Sequence, residues 1–186
     1  MKRTLFTIAG TLAISAAVMA VGGYAFMSSG IYDVSATTPD SSIVAWAVHK
    51  TSEASLGARF SANIVPAGLD ASEKIAAGGA LYIENCATCH GAPQVERTAI
   101  SKGLNPQPPD LFLATRKPNP AENYQFIKHG VKMTGMPGFA ETKTDDQIWS
   151  LVAFLNTLPG QSAADFQRLT GMPKATPNLP ATKIGG

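Results

Sequence analysis

The chain of 186 residues contains two cysteines, Cys86 and Cys89, with two residues between them and His90 immediately after. Cys-x-x-Cys-His is the attachment signature of a c-type haem. Both thiols can bond to the haem vinyl groups, and the histidine can ligate the iron from one side. A sixth ligand is then required, and a thioether in a later loop is its usual source. Thr134-Gly135-Met136-Pro137 offers one. Met133 and His129 compete for the role, but local chemistry favours Met136. Gly135 permits close chain approach, and Pro137 biases Met136 toward an extended backbone that can send its side chain out of a loop. Met133 has no such constraint and suits irregular space beside a haem. The expected set is therefore one covalently attached haem c on Cys86 and Cys89, with His90 and Met136 on the iron. A disulfide is the ordinary use of two cysteines outside the cytoplasm. The two-residue spacing with an adjacent histidine fits haem better. A zinc site would need a fourth ligand from His49 or His129, at no recognisable spacing.

These residues need helices to position them, and the pattern predicts an all-α domain. Asp70 and Glu73 have capping-box spacing, and Ile75, Gly79, Tyr82, Ile83 and Cys86 follow as one helical stripe running into the first cysteine. Gly78-Gly79 costs about 1–2 kcal/mol of helix propensity, which a close helix crossing would explain. Gly91 to Leu104 reads as loop, and Pro106, Pro108 and Pro109 stiffen the chain before a helical turn at Leu111-Phe112-Leu113. Asn119, Pro120 and Glu122 open a third helix with Tyr124, Ile127 and Val131 on its apolar side, stopped by Gly130. Thr134 to Phe139 is turn-rich. Thr144 and Gln147 open a last helix carrying Ile148, Leu151, Val152 and Leu155, flanked by Trp149 and Phe154 and ended by Pro159-Gly160.

Outside that domain the most informative stretch is Leu5 to Met27, 23 residues without a charge, behind Lys2 and Arg3. As a helix it reaches roughly 35 Å, enough for a hydrocarbon core of about 30 Å. The basic pair is expected to stay cytoplasmic, with everything after Met27 outside. A cleaved signal peptide ending at Val18-Met19-Ala20 is the competing reading. The continued apolar run through Val21, Tyr24 and Met27 favours an uncleaved single-pass anchor, with the haem domain on the outer side of the membrane. Both readings imply export. The expected organisation is an anchor or signal over 1–27, a linker with an amphipathic helix over 28–69, the haem domain over 70–160, and an extended tail over 161–186. The linker helix spans about Asp40 to Phe60, capped by Thr38 or Asp40, with Ile43, Trp46, Ala47, Leu56 and Phe60 roughly on one face. That face suits the lipid interface, the haem domain or a partner subunit. His49 on this helix has a bland, solvent-facing role. The net charge of +2 gives no broad basic field for nucleic acid. No phosphate loop or paired-carboxylate site is visible.

Residues 70–159 resemble a class I cytochrome c domain, close to membrane-anchored bacterial mono-haem cytochromes and the cytochrome subunits of haem-copper oxidases. The likeness rests on Gly78-x-x-x-Tyr82, Cys86-x-x-Cys89-His90-Gly91, Pro109-Asp110-Leu111, Gly135-Met136-Pro137 and a final helix with Trp149. It implies that Gly78 or Gly79 and Tyr82 cross the last helix near Trp149. It further implies that the Pro109 carbonyl holds the Nδ1 hydrogen of His90, and that Leu111 packs on the haem edge. The implied function is single-electron transfer between redox protein partners, in a membrane respiratory or dehydrogenase complex, without enzymatic turnover. Lys128 and Lys132 are candidates for steering an acidic partner. The alternatives are a peroxidase-like haem enzyme, which needs an open iron position and a distal acid–base group, and a haem-based sensor with a displaceable sixth ligand.

Overall fold

The computed structural model describes residues 2–60, with side chains through Ser55, and residues 65–171. The predicted tail beyond Gly171, the Leu56 and Phe60 contacts and residues 61–64 of the linker lie outside the described residues. What is described is all helical, in two compact units divided after Thr38. The first unit holds α1 (Lys2–Ser28), a single helix long and apolar enough to cross a membrane, with its side chains exposed. A turn follows in which Asp33 Oδ1 accepts from the Ser35 amide at 2.8 Å and Oδ2 accepts from the Thr38 hydroxyl at 2.6 Å.

The second unit opens with α2 (Ser42–Phe60). Its N-cap position falls at Ser41, after Thr38 and Asp40. Thr38 is committed to Asp33, and Ser41 Oγ takes the Val44 amide at 3.4 Å while the Ser41 carbonyl takes the Ala45 amide. Ile43, Trp46 and Val48 are exposed, and His49 lies 3.1 Å from Glu53 on the solvent side.

The organising pair is α3 (Ser72–Asn85) against α7 (Asp145–Leu155). The Asp70 capping box does not form: Ala71 is the N-cap, without a side-chain acceptor, because the helix starts one residue later than the spacing suggested. The glycine pair marks the expected close approach. A Cβ on Gly78 would lie 1.9 Å from the Ser150 carbonyl oxygen of α7. Tyr82 is fully buried here against Phe154, with ring centroids 5.3 Å apart. The crossing falls beside Trp149 in the sequence, as expected, and the Trp149 ring has a further partner. It turns toward α6 (Pro120–His129) and stacks on Tyr124 at 4.2 Å, so the two aromatic residues of α7 serve opposite neighbours. Helix α7 carries the full reciprocal cap between Thr144 and Gln147, and α6 has Asn119 as N-cap with Pro120 in its first turn.

Three expectations require correction. The Gly91–Leu104 stretch contains α5 (Ala99–Gly103), started by Thr98, whose hydroxyl accepts from the Ser101 amide. The Leu111 region forms turns instead of helix, because Asp110 Oδ1 captures the Phe112 amide at 2.8 Å and bends the chain locally. The tail is not extended from Gln161: α8 (Ala163–Thr170), capped by Ser162, packs on α3. Phe166 is its anchor, buried among Tyr82, Phe112 and Phe154 at centroid distances of 5.7–5.9 Å. A Cβ on Gly79 would meet the Leu169 carbonyl oxygen of α8 at 2.9 Å, so the second glycine admits this extra helix.

Candidate functional site

Helix α3 delivers Cys86 at its C-cap, and a single further turn, α4 (Ala87–His90), carries Cys89 and His90. Both the Cys89 and His90 amides donate back to the Cys86 carbonyl, at 3.1 and 2.9 Å. The three reactive side chains are thereby fixed on one short helical loop. Tyr82 Oη donates to the Gly91 carbonyl at 2.9 Å, tying the end of that loop to the helix core. Both cysteines are free thiols. Burial, and secondarily the neighbouring Cys89, pushes the Cys86 thiol up to about 12, so it stays protonated near neutral pH.

His90 and Pro109 are brought together, with His90 Nδ1 3.3 Å from the Pro109 carbonyl oxygen. A carbonyl can only accept, so Nδ1 carries the proton and Nε2 keeps its lone pair. Burial holds the imidazole pKa below 6.5. The Pro109 contact opposes that shift, and the charges of Arg97 and Arg116 reinforce it. The ring is therefore neutral at physiological pH. Arg97 Nη1 donates to the Pro108 carbonyl at 2.8 Å, stiffening the proline segment that faces His90. Arg116 Nη2 donates to Asn123 Oδ1 at 3.1 Å, whereas its Nη1 and Asn123 Nδ2 are buried donors without a partner.

Leu111 is buried in the core, and Cys86, Phe112, Phe139 and Met136 all pack against that same cluster. Met136 is thus half-buried on the apolar body that carries the cysteine helix. Its loop is closed tightly. Thr134 Oγ1 donates to the Val131 carbonyl at 2.8 Å and accepts from the Met136 amide at 3.1 Å, while the Val131 amide donates to the Met136 carbonyl. Gly130 closes the neck with φ of 65°, and a Cβ there would meet the Pro137–Gly138 backbone at 2.5 Å. Met133 does not fill space beside Met136. It is 88% exposed on a left-handed backbone with φ of 64°. His129 is also on the exposed side.

Lys128 contributes less free charge than its position suggested. Its ammonium donates to Asp145 at 2.8 Å and to Tyr124 Oη at 3.0 Å, consuming much of its capacity to steer a partner.

Residues 73–155 match the family model described as cytochrome C oxidase, cbb3-type, subunit III. This distant match relates the span from α3 to the end of α7 to respiratory cytochrome subunits at the family level. It includes both cysteines, His90 and Met136, and leaves α1, α2 and α8 outside. No curated protein and no solved structure matches the chain.

The donor set suits a haem better than a closed ion site. It offers two neutral-capable thiols on one turn, one imidazole with its Nε2 lone pair available, and one thioether on an apolar wall. Among the described residues, no three His, Cys, Asp or Glu side chains converge to hold a metal ion. Sequence reasoning missed the polar clamps around these groups, notably Thr98, Ser101 and Thr134. A Thr-x-x-Ser cap signal was present at Thr98, but the surrounding glycine and prolines masked it.

Proposed function

We propose that the second unit is a mono-haem c-type electron-transfer module, tethered through α1 to a bacterial inner membrane with the haem on the periplasmic side. The observation that carries this reading is the His90–Pro109 contact beside two free thiols on the same turn. Cys86 and Cys89 would hold the haem covalently, and His90 Nε2 and Met136 Sδ would ligate the iron, which supplies a one-electron couple. Pro109 holds the imidazole in the tautomer that leaves Nε2 available and raises its basicity. Met136 and the buried Leu111 keep water from this side of the site. A soft thioether and an apolar wall favour the reduced charge state and so raise the potential. The unpartnered donors of Arg116 and Asn123 need acceptors, and the haem carboxylates are acceptors of the right charge.

The chain acts as a carrier and not as an enzyme, because two protein ligands leave no position for substrate. The family match supports work within or beside a respiratory complex, with other redox proteins as donor and acceptor. Denaturing the purified protein in acid–organic solvent tests attachment. One haem per chain should stay with the polypeptide and be lost from a Cys86→Ala, Cys89→Ala double variant. Recovery of all haem in the organic phase of the parent would overturn the reading.

A further inference from the structure

Helix α5 has no part in the function argued so far, yet it touches both ends of the site. Its N-cap Thr98 donates through Oγ1 to the Thr88 carbonyl at 2.6 Å, and Ser101, 1% exposed, donates through Oγ to the Cys89 carbonyl at 2.6 Å. These bonds pin α5 along the Cys-x-x-Cys-His turn. At its other end stands Leu104, whose amide closes the helix onto the Ser101 carbonyl. The Leu104 side chain lies against the bare face of Gly135. A Cβ on Gly135 would fall 2.5 Å from Leu104 Cδ2, 3.1 Å from Cδ1 and 3.3 Å from Cγ. Gly135 immediately precedes Met136.

We propose that α5 is a strut between the two ligand-bearing segments and that Leu104 is a positioning residue for the Met136 sulfur. This rests on the reading of Met136 as the sixth ligand. The physical argument is one of loop restraint. The Met136 loop is tied internally by Thr134 and at its neck by Gly130, but those contacts fix its shape and not its placement relative to the cysteine turn. Packing of Met136 on the core gives part of that placement, and the Leu104–Gly135 contact adds a direct tie to the cysteine turn, because Leu104 is carried by a helix already bonded to Cys89. An apolar side chain seated on a glycine excludes water and blocks the outward swing of the loop. Opening of this loop is the step that would expose an iron position to an external ligand.

External imidazole measures that opening. Its apparent affinity scales with the fraction of molecules whose loop is open, so loosening the closed state by about 1.4 kcal/mol tightens apparent binding about tenfold. The experiment uses the whole chain in detergent with haem attached. Ferric Leu104→Ala is expected to lose intensity in the far-red sulfur-to-iron band and to bind imidazole about tenfold or more tightly than the parent. Ser101→Ala preserves size and cuts the strut at its other end, and should shift both readouts the same way. Ile100→Ala, on the exposed face of α5, should leave both at the parent values. In Gly135→Ala the new methyl must displace Leu104, so the effects of Gly135→Ala and Leu104→Ala should be less than additive when combined. If Leu104→Ala fails to fold, Leu104→Val and Ser101→Ala carry the test. Parent-like band and parent-like imidazole affinity in Ser101→Ala and either Leu104 variant would overturn the strut. A parent that lacks the band from the outset would instead overturn Met136 ligation, which is a separate failure.

Discussion

Two methionines three residues apart differ in nearly every physical respect. Met136 packs on the core, with its amide and carbonyl both bonded inside the loop, whereas Met133 projects into solvent from a left-handed backbone. Met136→Ala should therefore abolish the ferric sulfur-to-iron band and lower the midpoint potential, while Met133→Ala should retain both. Spectra of the two ferric variants decide the matter, and loss of the band only in the Met133 variant would reverse the assignment. A second residue-scale test concerns Lys128 and Asp145. The Lys128 and Tyr124 hydrogen bonds hold the Asp145 carboxyl below its ordinary 3.8, and the Asp145 and Tyr124 bonds hold the Lys128 ammonium above 10.5. The stabilisation from Asp145 is thus present above pH 3.8 and lost as pH falls through its lowered folded value. That from Lys128 is present below pH 10.5 and lost as pH rises through its raised folded value. Thermal melts of parent and Lys128→Met should differ by a constant amount between those limits and converge outside them. A difference that persists unchanged below the carboxylate range would remove Asp145 from the account. Sequence made the reactive residues legible at this scale because Cys86, Cys89, His90 and Met136 carry their chemistry in their own side chains. Ser101, Thr134 and Leu104 stayed hidden because their roles depend on partners 12, 3 and 31 positions away, the second set by the fold of one loop and the third lying beyond α6.

At the scale of elements, the α3–α7 crossing is the constraint that least tolerates change. Alanine normally improves an interior helix glycine by about 1 kcal/mol. At Gly78 the added methyl would meet the Ser150 backbone oxygen at 1.9 Å, and a backbone atom cannot rotate away. Gly78→Ala should lower stability by about 3 kcal/mol or more, reversing the propensity gain. Ala76→Gly, exposed on the same helix, should cost about 1 kcal/mol from propensity alone. Urea midpoints of the two variants make the comparison, and a stabilised Gly78→Ala would mean that the helices do not cross there. The glycine pair was readable as a crossing from its cost in an otherwise regular helix. What it crosses was only half readable. The reciprocal cap and the apolar stripe identified α7, whereas the signals of α8 are few and flanked by prolines: Ser162 with Asp165 at its start, Phe166 with Leu169 three residues on, and Gly171 after its end. Helix α8 has little apolar surface of its own and owes its order to the aromatic cluster of Tyr82, Phe112 and Phe154, a tertiary cause invisible to local pattern.

At the scale of the molecule, α1 belongs to the first unit and is the helix long and apolar enough to anchor the proposed carrier. The protein should remain in membranes through a high-salt wash and require detergent for release, since salt screens charge but leaves hydrophobic burial intact. Sequencing the mature chain provides the check: an N-terminus at Val21 would leave an exported protein without an anchor. The segment between Ser28 and Ser42 then acquires a kinetic meaning. Fully extended, it spans no more than roughly 50 Å, and the Asp33 turn shortens it further. On the proposed reading, a carrier held on so short a leash would search a small volume above the membrane and not the whole compartment. Encounter with a membrane-bound redox partner held within that reach becomes in effect unimolecular, at an effective concentration on the order of millimolar. Turnover through such a pair would stay constant on dilution, whereas the same domain cut free after Thr38 would slow in proportion.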